Sequence, residues 1–423
     1  MLRISLRAVV LRATALGQSM RAGTLPLAVA VLFILTNGSS RAIWAQPAHF
    51  AGAQSVVTNN LVAPRGIAVD LLGNVYVADT NGQRVLKESP TARGYAESTF
   101  VDAATSGVSY FVPTWVATDG LGDVFVLSGA DGQVLKFSPT RQGYVETFIP
   151  LPESFLGVPY SMAADPWGNV YLSFVHATGS VLKWSPTANG YAGTSIGNNL
   201  SPFDVGIAAD LNQNVYVSSL DGTVYKETRT NHGYAQSVVA SGYGLVTDVA
   251  VDPLGTVYVG DASYSDAAVW KETPTPNGYV MSRAPGTGFE YPMGIAVDLW
   301  DDLYVSDNDK GRVTVLRPLG GTFPAVEVGN TSDSPITMIF TFDRAGTLGA
   351  TAVTTLGGGA GPEFVDAGTG TCQGGATYAA GAFCSVDVTF APRIAGLRLG
   401  AVALLNGQGK TMATGYMIGQ GVR

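Results

Sequence analysis

The sequence predicts an all-β fold built from a repeated unit of four short strands. The stretch from Gly66 to Pro90, GIAVDLLGNVYVADTNGQRVLKESP, returns from Gly294 to Pro318 as GIAVDLWDDLYVSDNDKGRVTVLRP, with twelve of twenty-five positions identical. The strand-length runs are rich in Val, Tyr and Ile and show no helical period. The 53 glycines and 18 tyrosines, together with few charged residues, are typical of turn-rich β proteins.

The first 45 residues are predicted to be a signal peptide. The apolar run Leu25–Thr36 is too short to span a bilayer comfortably, and four arginines precede it. Cleavage is expected after Ala45, and a start at Met20 would give a leader of more ordinary length. An uncleaved anchor is the alternative. After cleavage, the sequence predicts no integral membrane segment and a secreted, periplasmic or cell-surface protein.

Six copies of the repeat fill the central part of the chain. Each contains one aspartate, at spacings of 49, 46, 45, 42 and 46 residues: Asp70, Asp119, Asp165, Asp210, Asp252 and Asp298. Periods of this size indicate propeller blades or solenoid units. Runs such as GIAV and VYVA are apolar at successive positions, so both of their faces must be covered, as in a blade stacked between two others. The sequence therefore predicts a β-propeller with six blades.

The repeated aspartate lies in the turn between the first two strands, in segments such as DLLGN. Its carboxylate can accept backbone N–H groups, and the glycine can adopt a positive φ. A metal-binding role is the alternative. The turn role is preferred because each aspartate belongs to a different blade, whereas a metal needs several ligands at one point.

The two ends of the series predict how the ring closes. Phe50–Leu61, before the first copy, resembles the fourth-strand run Gly233–Leu245, whereas the last copy stops after its third strand, RVTVLR. We expect Ala53–Leu61 to be the fourth strand of the last blade, because this pairing removes the exposed edges of an open sheet. The two near-identical copies would then be neighbouring blades, one and six.

The motif P-x-G-I-A-V-D-x-x-G-N-V-Y-V-A-D-x-N-x-x-R-V, from Pro64 to Val85, resembles the NHL repeat. The resemblance covers about Pro47–Leu319 and is strongest in blades one and six, since blades two to five lose the Asp-to-Arg ending. NHL propellers mostly bind other molecules. The resemblance therefore implies a ring-shaped binding scaffold over residues 46–319 and names no ligand.

The repeat stops before the last hundred residues. There Cys372, Cys384, the strand Val388–Gly396 with the pattern V-x-F-x-P-x-x-x-G, and the closing G-x-G of Gly419–Gly421 resemble bacterial Ig-like modules related to Hydin and choice-of-anchor D domains. The match covers about Phe323–Arg423. It implies an Ig-like β-sandwich over residues 320–423 that acts as a spacer or adhesion unit.

Cys372 and Cys384 are the two cysteines of the chain. An even number in an exported protein favours a disulfide. Closing a loop of this length is worth about 3 kcal/mol on the chain-entropy model. A metal site would need more ligands, and no histidine lies nearby.

Three patterns typical of enzymes fail on inspection. GTSIG, Gly193–Gly197, matches G-x-S-x-G but falls in a fourth-strand run with no helix after it. NGQGKT, around Lys410, has Leu404 where a phosphate-binding loop needs its first glycine. The three histidines, His49, His176 and His232, occupy unrelated repeat positions.

The mouth of the central channel gives a further test for an enzyme. In register, the innermost strands begin with Arg65 and Gly66, Thr114 and Trp115, Tyr160 and Ser161, Val205 and Gly206, Thr247 and Asp248, and Met293 and Gly294. This ring holds one carboxylate and no histidine, so it supplies neither a metal cage nor an acid–base pair. The sequence predicts no catalytic residue, metal or cofactor, although ligands on longer loops stay open.

One face of the propeller is predicted to bind a ligand. The loops from strand four to strand one and from strand two to strand three emerge on this face. They carry Tyr110, Phe111, Trp115, Tyr160, Phe203, Tyr243, Tyr264 and Tyr291, with Asp79, Arg84, Asp307 and Arg312. The predicted ligand-binding residues among them are Trp115, Tyr160, Tyr110, Phe203, Tyr243, Tyr291, Arg84 and Arg312. Aromatic rings with a polar tip suit a glycan, peptide or protein ligand. The net charge of −8 argues against a nucleic-acid partner.

The same residues have a structural interpretation. Asp79 with Arg84, and Asp307 with Arg312, would be ion pairs that tie each hairpin. Several tyrosines would be packed between blades.

The leading hypothesis is a secreted, non-enzymatic binding or scaffold protein. The first alternative is a propeller hydrolase, lactonase or lyase with metal ligands on loops, for which the candidates are Asp261 and Asp266, or Asp307 and Asp309. The second alternative is a structural component of the cell surface, which would self-associate.

Overall fold

The computed structural model describes residues 47–108, 110–129, 132–151, 158–175, 181–196, 204–356 and 361–423, so the predicted leader lies outside the described residues. Within these ranges the regular elements are strands, and none of the described segments is a helix able to cross a membrane. The chain divides into two compact units. We call residues 56–90 and 95–316 the propeller unit, and the remaining described residues, 47–55, 91–94 and 317–423, the terminal unit.

The first strand of the described residues is β1 (Ala48–Thr58). Five four-stranded sheets follow it in chain order. Blade one contains β2 (Pro64–Val69), β3 (Val75–Asp79), β4 (Arg84–Thr91) and β5 (Gly94–Asp102). Blade two contains β6 (Pro113–Thr118), β7 (Val124–Ser128), β8 (Gln133–Thr140) and β9 (Gly143–Ile149). Blade three contains β10 (Val158–Ala164), β11 (Val170–Val175), β12 (Val181–Thr187) and β13 (Gly190–Ile196).

Blades four to six repeat the pattern. Blade four contains β14 (Asp204–Ala209), β15 (Val215–Ser219), β16 (Thr223–Thr230) and β17 (Gly233–Ser241). Blade five contains β18 (Val246–Val251), β19 (Val257–Asp261), β20 (Ala268–Thr275) and β21 (Gly278–Arg283). Blade six begins with β22 (Pro292–Val297), β23 (Leu303–Asp307) and β24 (Arg312–Arg317). Each fourth strand from β5 to β21 starts at the glycine of a GY pair, as the sequence predicts.

The blades form a closed ring around their innermost strands. β2, β6, β10, β14, β18 and β22 each contact the next innermost strand, and β22 contacts β2 again. Within each blade the strands are antiparallel, as in the pairs Val69–Val75 and Asp79–Arg84 of blade one. The predicted six-bladed β-propeller is confirmed.

The last blade is completed by the N-terminal strand. The hydrogen-bonded order of its strands is β22-β23-β24-β1. In the propeller unit, Val57 and Leu61 pack with Val313 and Val315, and the Leu61 N–H donates to the Gly311 carbonyl at 2.9 Å. The closure predicted from the unequal ends of the repeat series is therefore confirmed.

The second strand of each blade is buried on both faces. In β3, Val75, Tyr76 and Val77 have no exposed surface, and the five residues of β7, β15, β19 and β23 are likewise buried. Their alternate side chains pack against the blades on either side, which is why these runs are apolar at successive positions.

The repeated aspartate organises the turn between the first two strands. Asp70 Oδ1 accepts the N–H groups of Leu72 and Asn74, both at 2.9 Å, and Oδ2 accepts the Asn74 side-chain amide at 2.7 Å. Gly73 in this turn has a φ of 80°. Backbone bonds to the residues two and four positions on are also made by Asp119, Asp165, Asp210, Asp252 and Asp298. The predicted turn role is confirmed.

The terminal unit is a sandwich of two sheets. Its remaining strands are β25 (Gly321–Thr322), β26 (Val326–Glu327), β27 (Ile336–Phe342), β28 (Gly346–Leu356), β29 (Phe364–Asp366), β30 (Thr377–Tyr378), β31 (Phe383–Phe390), β32 (Gly396–Asn406) and β33 (Thr411–Val422). One sheet has the order β1-β27-β31-β29, and the other has the order β25-β33-β32-β28-β30, with β26 also on β33. Phe340, Phe390, Val402 and Met412 belong to the buried core between them.

The predicted disulfide is present in this unit. Cys372 and Cys384 are joined with an S–S distance of 2.04 Å, and Cys384 is fully buried in β31. The bridge fastens the segment before β30 to the core of the sandwich.

Candidate functional site

The innermost strands begin with an irregular step that fixes the mouth of the channel. The pairing of the first two strands shifts register at the mouth residue, for example between Pro292 and Gly294. A serine on the second strand accepts the N–H group that this shift frees. Ser173 accepts from Ser161 at 3.2 Å, Ser218 from Gly206 at 2.9 Å and Ser306 from Gly294 at 2.9 Å. These hydroxyls hold the mouth residues in place.

The two large side chains of the mouth, Trp115 and Asp248, each follow a glycine of the preceding blade. A β-carbon on Gly66 would lie 2.5 Å from the Trp115 Cα, and one on Gly206 would lie 2.6 Å from the Asp248 Cα. Each glycine thus makes room for the side chain of the following blade. The sequence carries this signal, because the glycines and the bulky residues fall in register, but the prediction did not use it.

The channel contains a cavity of about 150 Å³ that is open rather than enclosed. Its wall is formed by the innermost strands of all six blades, with short apolar runs such as Ile67–Val69 and Val249–Val251. Two larger side chains at the mouth also line it, Trp115 and Asp248. Asp248 is thus the one carboxyl group among the described residues that line this cavity.

Asp248 is 2% exposed. Its Oδ2 accepts the Ile295 N–H at 2.9 Å, whereas Oδ1 has no hydrogen-bond partner among the described residues. Burial raises the pKa of the Asp248 carboxyl well above its usual value, and the N–H groups of Ile295 and Val249 oppose the rise only in part. No described cation lies close enough to act on this pKa.

The predicted aromatic residues separate into exposed and packed groups. Tyr264 is 100% exposed and Tyr110 is 59% exposed. Tyr160 and Tyr291 are half-buried. Burial raises the pKa of Tyr291, and the nearby Tyr160, Tyr264 and Asp309 raise it further. Tyr160 and Tyr291, from blades three and six, pack against the same buried cluster as Trp115.

Other residues of the predicted set lie in the interior. Trp115 is 3% exposed, with its ring centroid 6.5 Å from that of Tyr160. Phe111 is buried, and the buried Tyr243 donates its hydroxyl to Glu272 at 2.5 Å. Phe203 lies outside the described residues.

The two arginines of the predicted site form ion pairs within their hairpins. Arg84 Nε lies 2.9 Å from Asp79 Oδ2, and Arg312 lies 3.7 Å from Asp307. Both aspartates are fully buried and also accept backbone N–H groups, Asp79 from Val62 at 2.6 Å and Asp307 from Tyr291 at 2.9 Å. These contacts match the structural interpretation of the four charged residues.

The carboxylates considered as metal ligands are mostly engaged in the protein. Asp261 accepts the Leu245 N–H at 2.9 Å and the Ser263 hydroxyl at 2.5 Å, and Asp266 lies 2.7 Å from Arg283. Asp309 is exposed. Across the part of the chain that is described, no group of three or more His, Cys, Asp and Glu side chains is arranged to hold a metal ion.

The comparisons with known proteins support the propeller fold. No protein-family model matches this chain, and no curated protein matches it. A gluconolactonase from Xanthomonas campestris aligns with a TM-score of 0.50 and 14% identity over 64% of this chain and 94% of its own. Virginiamycin B lyase from Staphylococcus aureus aligns with a TM-score of 0.46 and 12% identity over 64% of this chain and 99% of its own. The calcium-binding protein regucalcin from Agrobacterium tumefaciens aligns with a TM-score of 0.47 and 15% identity over 63% of this chain and 93% of its own. The first of these alignments shows that the propeller is similar in fold to the gluconolactonase.

Proposed function

We propose that this protein is an exported binding protein whose propeller presents one aromatic face to a glycan, peptide or protein ligand. The observation that carries the proposal is that Tyr160 and Tyr291, from blades three and six, pack against the same buried cluster as Trp115, while Tyr264 on the same face is fully exposed. A fully exposed tyrosine on the same face as two half-buried ones offers flat apolar surface with hydroxyl groups at its edge. Such surfaces favour sugar rings and peptides.

The finer assignments belong to this proposal. The propeller, residues 46–319, would be an NHL-type ring, and residues 320–423 would be an Ig-like module that acts as a spacer or contacts a partner. Residues 1–45 would direct export. The Cys372–Cys384 disulfide supports an oxidising compartment, since such bonds persist there.

A panel of glycans and peptides tests the proposal. We expect a ligand found with the parent chain to bind at least about tenfold more weakly after Tyr264→Ala or Tyr160→Ala, because a central aromatic anchor is worth about 1–2 kcal/mol or more. Trp167→Ala is the matched control. Trp167 is 52% exposed in the turn of blade three at the other end of the strands. Equal binding by the parent and both tyrosine variants would place the ligand elsewhere.

A second candidate function is enzymatic. The gluconolactonase of similar fold makes hydrolysis of a lactone the first reaction to assay, with loop-borne carboxylates such as Asp309 supplying ligands or acid–base groups. Lactone turnover above the background rate, abolished by a chelator, together with metal in the purified protein, would favour this candidate. Ligand binding without turnover or bound metal would favour the binding protein.

A further inference from the structure

The channel mouth contains one carboxyl group whose hydrogen bonding is incomplete. Asp248 lines the cavity and is almost wholly buried, with Oδ2 bonded to the Ile295 N–H and Oδ1 without a partner among the described residues. A β-carbon on Gly206 would lie 2.8 Å from Oδ1 and 2.5 Å from the Ser218 hydroxyl oxygen, and this hydroxyl makes no hydrogen bond to Oδ1. A buried polar atom of this kind is costly unless something else supplies the bond.

Trp115 is on the other side of the same cavity. Asp248 begins the innermost strand of blade five and Trp115 that of blade two, and blades two and five of a six-membered ring are directly opposite. Both side chains line the cavity. The carboxyl group and the indole therefore belong to opposite sides of one space of about 150 Å³.

From this juxtaposition we infer that the channel mouth binds the alkylammonium group of a small amine between the Asp248 carboxylate and the Trp115 indole. This inference goes beyond the ligand of the aromatic face and does not depend on it. An ammonium group supplies both the hydrogen bond that Oδ1 lacks and the charge that an ionised, buried carboxylate requires. Trp is the aromatic side chain that attracts a cation most strongly.

The cavity has room for several water molecules or for an ammonium group with a short alkyl chain. Water bound to Oδ1 is the competing interpretation, since polar cavities of this size are commonly hydrated.

Binding is expected to depend on pH through Asp248. Burial raises the pKa of the free Asp248 carboxyl, whereas the ammonium ligand needs its ionised form. The titratable side chains on the strands packed against β18 are engaged elsewhere. Tyr216 and Tyr258 donate to Asp210 and Asp301, and Asp261 accepts Leu245 N–H. At the rim, the charges of Arg65 and Asp309 shift the pKa of Tyr291 but not that of Asp248.

The test is calorimetric titration of the chain beginning at Gln46 with n-butylammonium, and with n-butanol as the neutral analogue of the same shape. We expect binding of the amine and at least about tenfold weaker binding of the alcohol. Affinity should rise about tenfold per pH unit below the pKa of Asp248 and level off above it, because one proton is released per amine bound.

Two variants and a control complete the design. Asp248→Asn keeps the acceptor for the Ile295 N–H and removes the charge, so the fold should persist while amine binding weakens at least about tenfold. Trp115→Phe should weaken binding a few-fold. Asp221→Asn removes an exposed carboxylate from the same face, in the loop between β15 and β16, and should change nothing. Equal binding of amine and alcohol, an unaffected Asp248→Asn variant, or no binding at millimolar amine would show that the cavity holds water only.

Discussion

Trp115 occupies the space that a side chain on Gly66 would need: a β-carbon there would lie 2.5 Å from the Trp115 Cα and 2.8 Å from its Cγ. The two residues stand at the same position of neighbouring blades. Because the clash includes backbone, rotation of the indole cannot relieve it. The glycine therefore fixes how closely blades one and two approach.

Replacing Gly66 with alanine is expected to destabilise the propeller by about 1–3 kcal/mol, as inserting a methyl group into a packed core does. Urea unfolding followed by Trp fluorescence measures the change. Gly407→Ala is the control, since a β-carbon at Gly407 meets nothing within 4 Å. Equal urea midpoints for the Gly66→Ala and Gly407→Ala variants would contradict the close packing of Gly66 against Trp115.

The sequence was sufficient for the architecture because each blade repeats the same turn chemistry. The bonds of Asp70 and the start of β5 at Gly94 depend on neighbours within a few positions of the chain. The closing strand was also predictable, since the repeat series lacked one strand at one end and had an extra one at the other. These features are local or periodic.

The candidate site was less predictable because it depends on contacts between blades. The register places Trp115 at the mouth but does not show that it packs over Gly66. Tyr243 is on the predicted face, yet its hydroxyl reaches Glu272 on β20 and the ring is buried. Asp248 stood out as the one carboxylate of the mouth, whereas its bond to Ile295, 47 residues away, required the structure.

Closure by β1 predicts that the propeller requires its N-terminal strand. Deleting residues 46–62 removes Val57 and Leu61 from the last blade and leaves the edge of β24 unpaired. We expect the truncated chain to aggregate or to melt far below the chain that begins at Gln46, because an exposed apolar edge lacks both its hydrogen bonds and its cover. Light scattering and thermal melting give the comparison. An unchanged melting temperature would refute the role of β1 in closure.

The disulfide predicts a local effect on the terminal unit. Replacing Cys372 and Cys384 together with serine should lower the stability of that unit by about 3 kcal/mol, since the unfolded loop regains its freedom. Scanning calorimetry should show the transition of the propeller nearly unmoved, because both cysteines lie within residues 317–423. Free thiols in the exported protein, found by peptide mapping, would contradict the bridge itself.

Glu88 predicts that stability depends on pH near neutrality. Burial raises the pKa of Glu88 to about 7, and the charge of the neighbouring Glu97, which accepts the Thr58 hydroxyl at 3.0 Å, adds to the rise. The folded chain therefore holds a proton that the unfolded chain has lost between about pH 4.5 and pH 7. The contribution of this proton to the free energy of unfolding is fully present below about pH 4.5, and it is lost as the pH rises through 7.

Glu88→Gln should remove that dependence, because the amide resembles the protonated carboxyl at every pH. Urea unfolding is measured at about pH 5 and about pH 8. Between these two pH values the free energy of unfolding of the parent should fall by roughly 1–2 kcal/mol more than that of the variant. Glu146→Gln is a useful comparison, since burial raises the pKa of Glu146 also. Its effect on the pH dependence should be smaller. If the free energy of unfolding changed equally with pH in the parent and in the Glu88→Gln variant, Glu88 would be ionised in the folded protein.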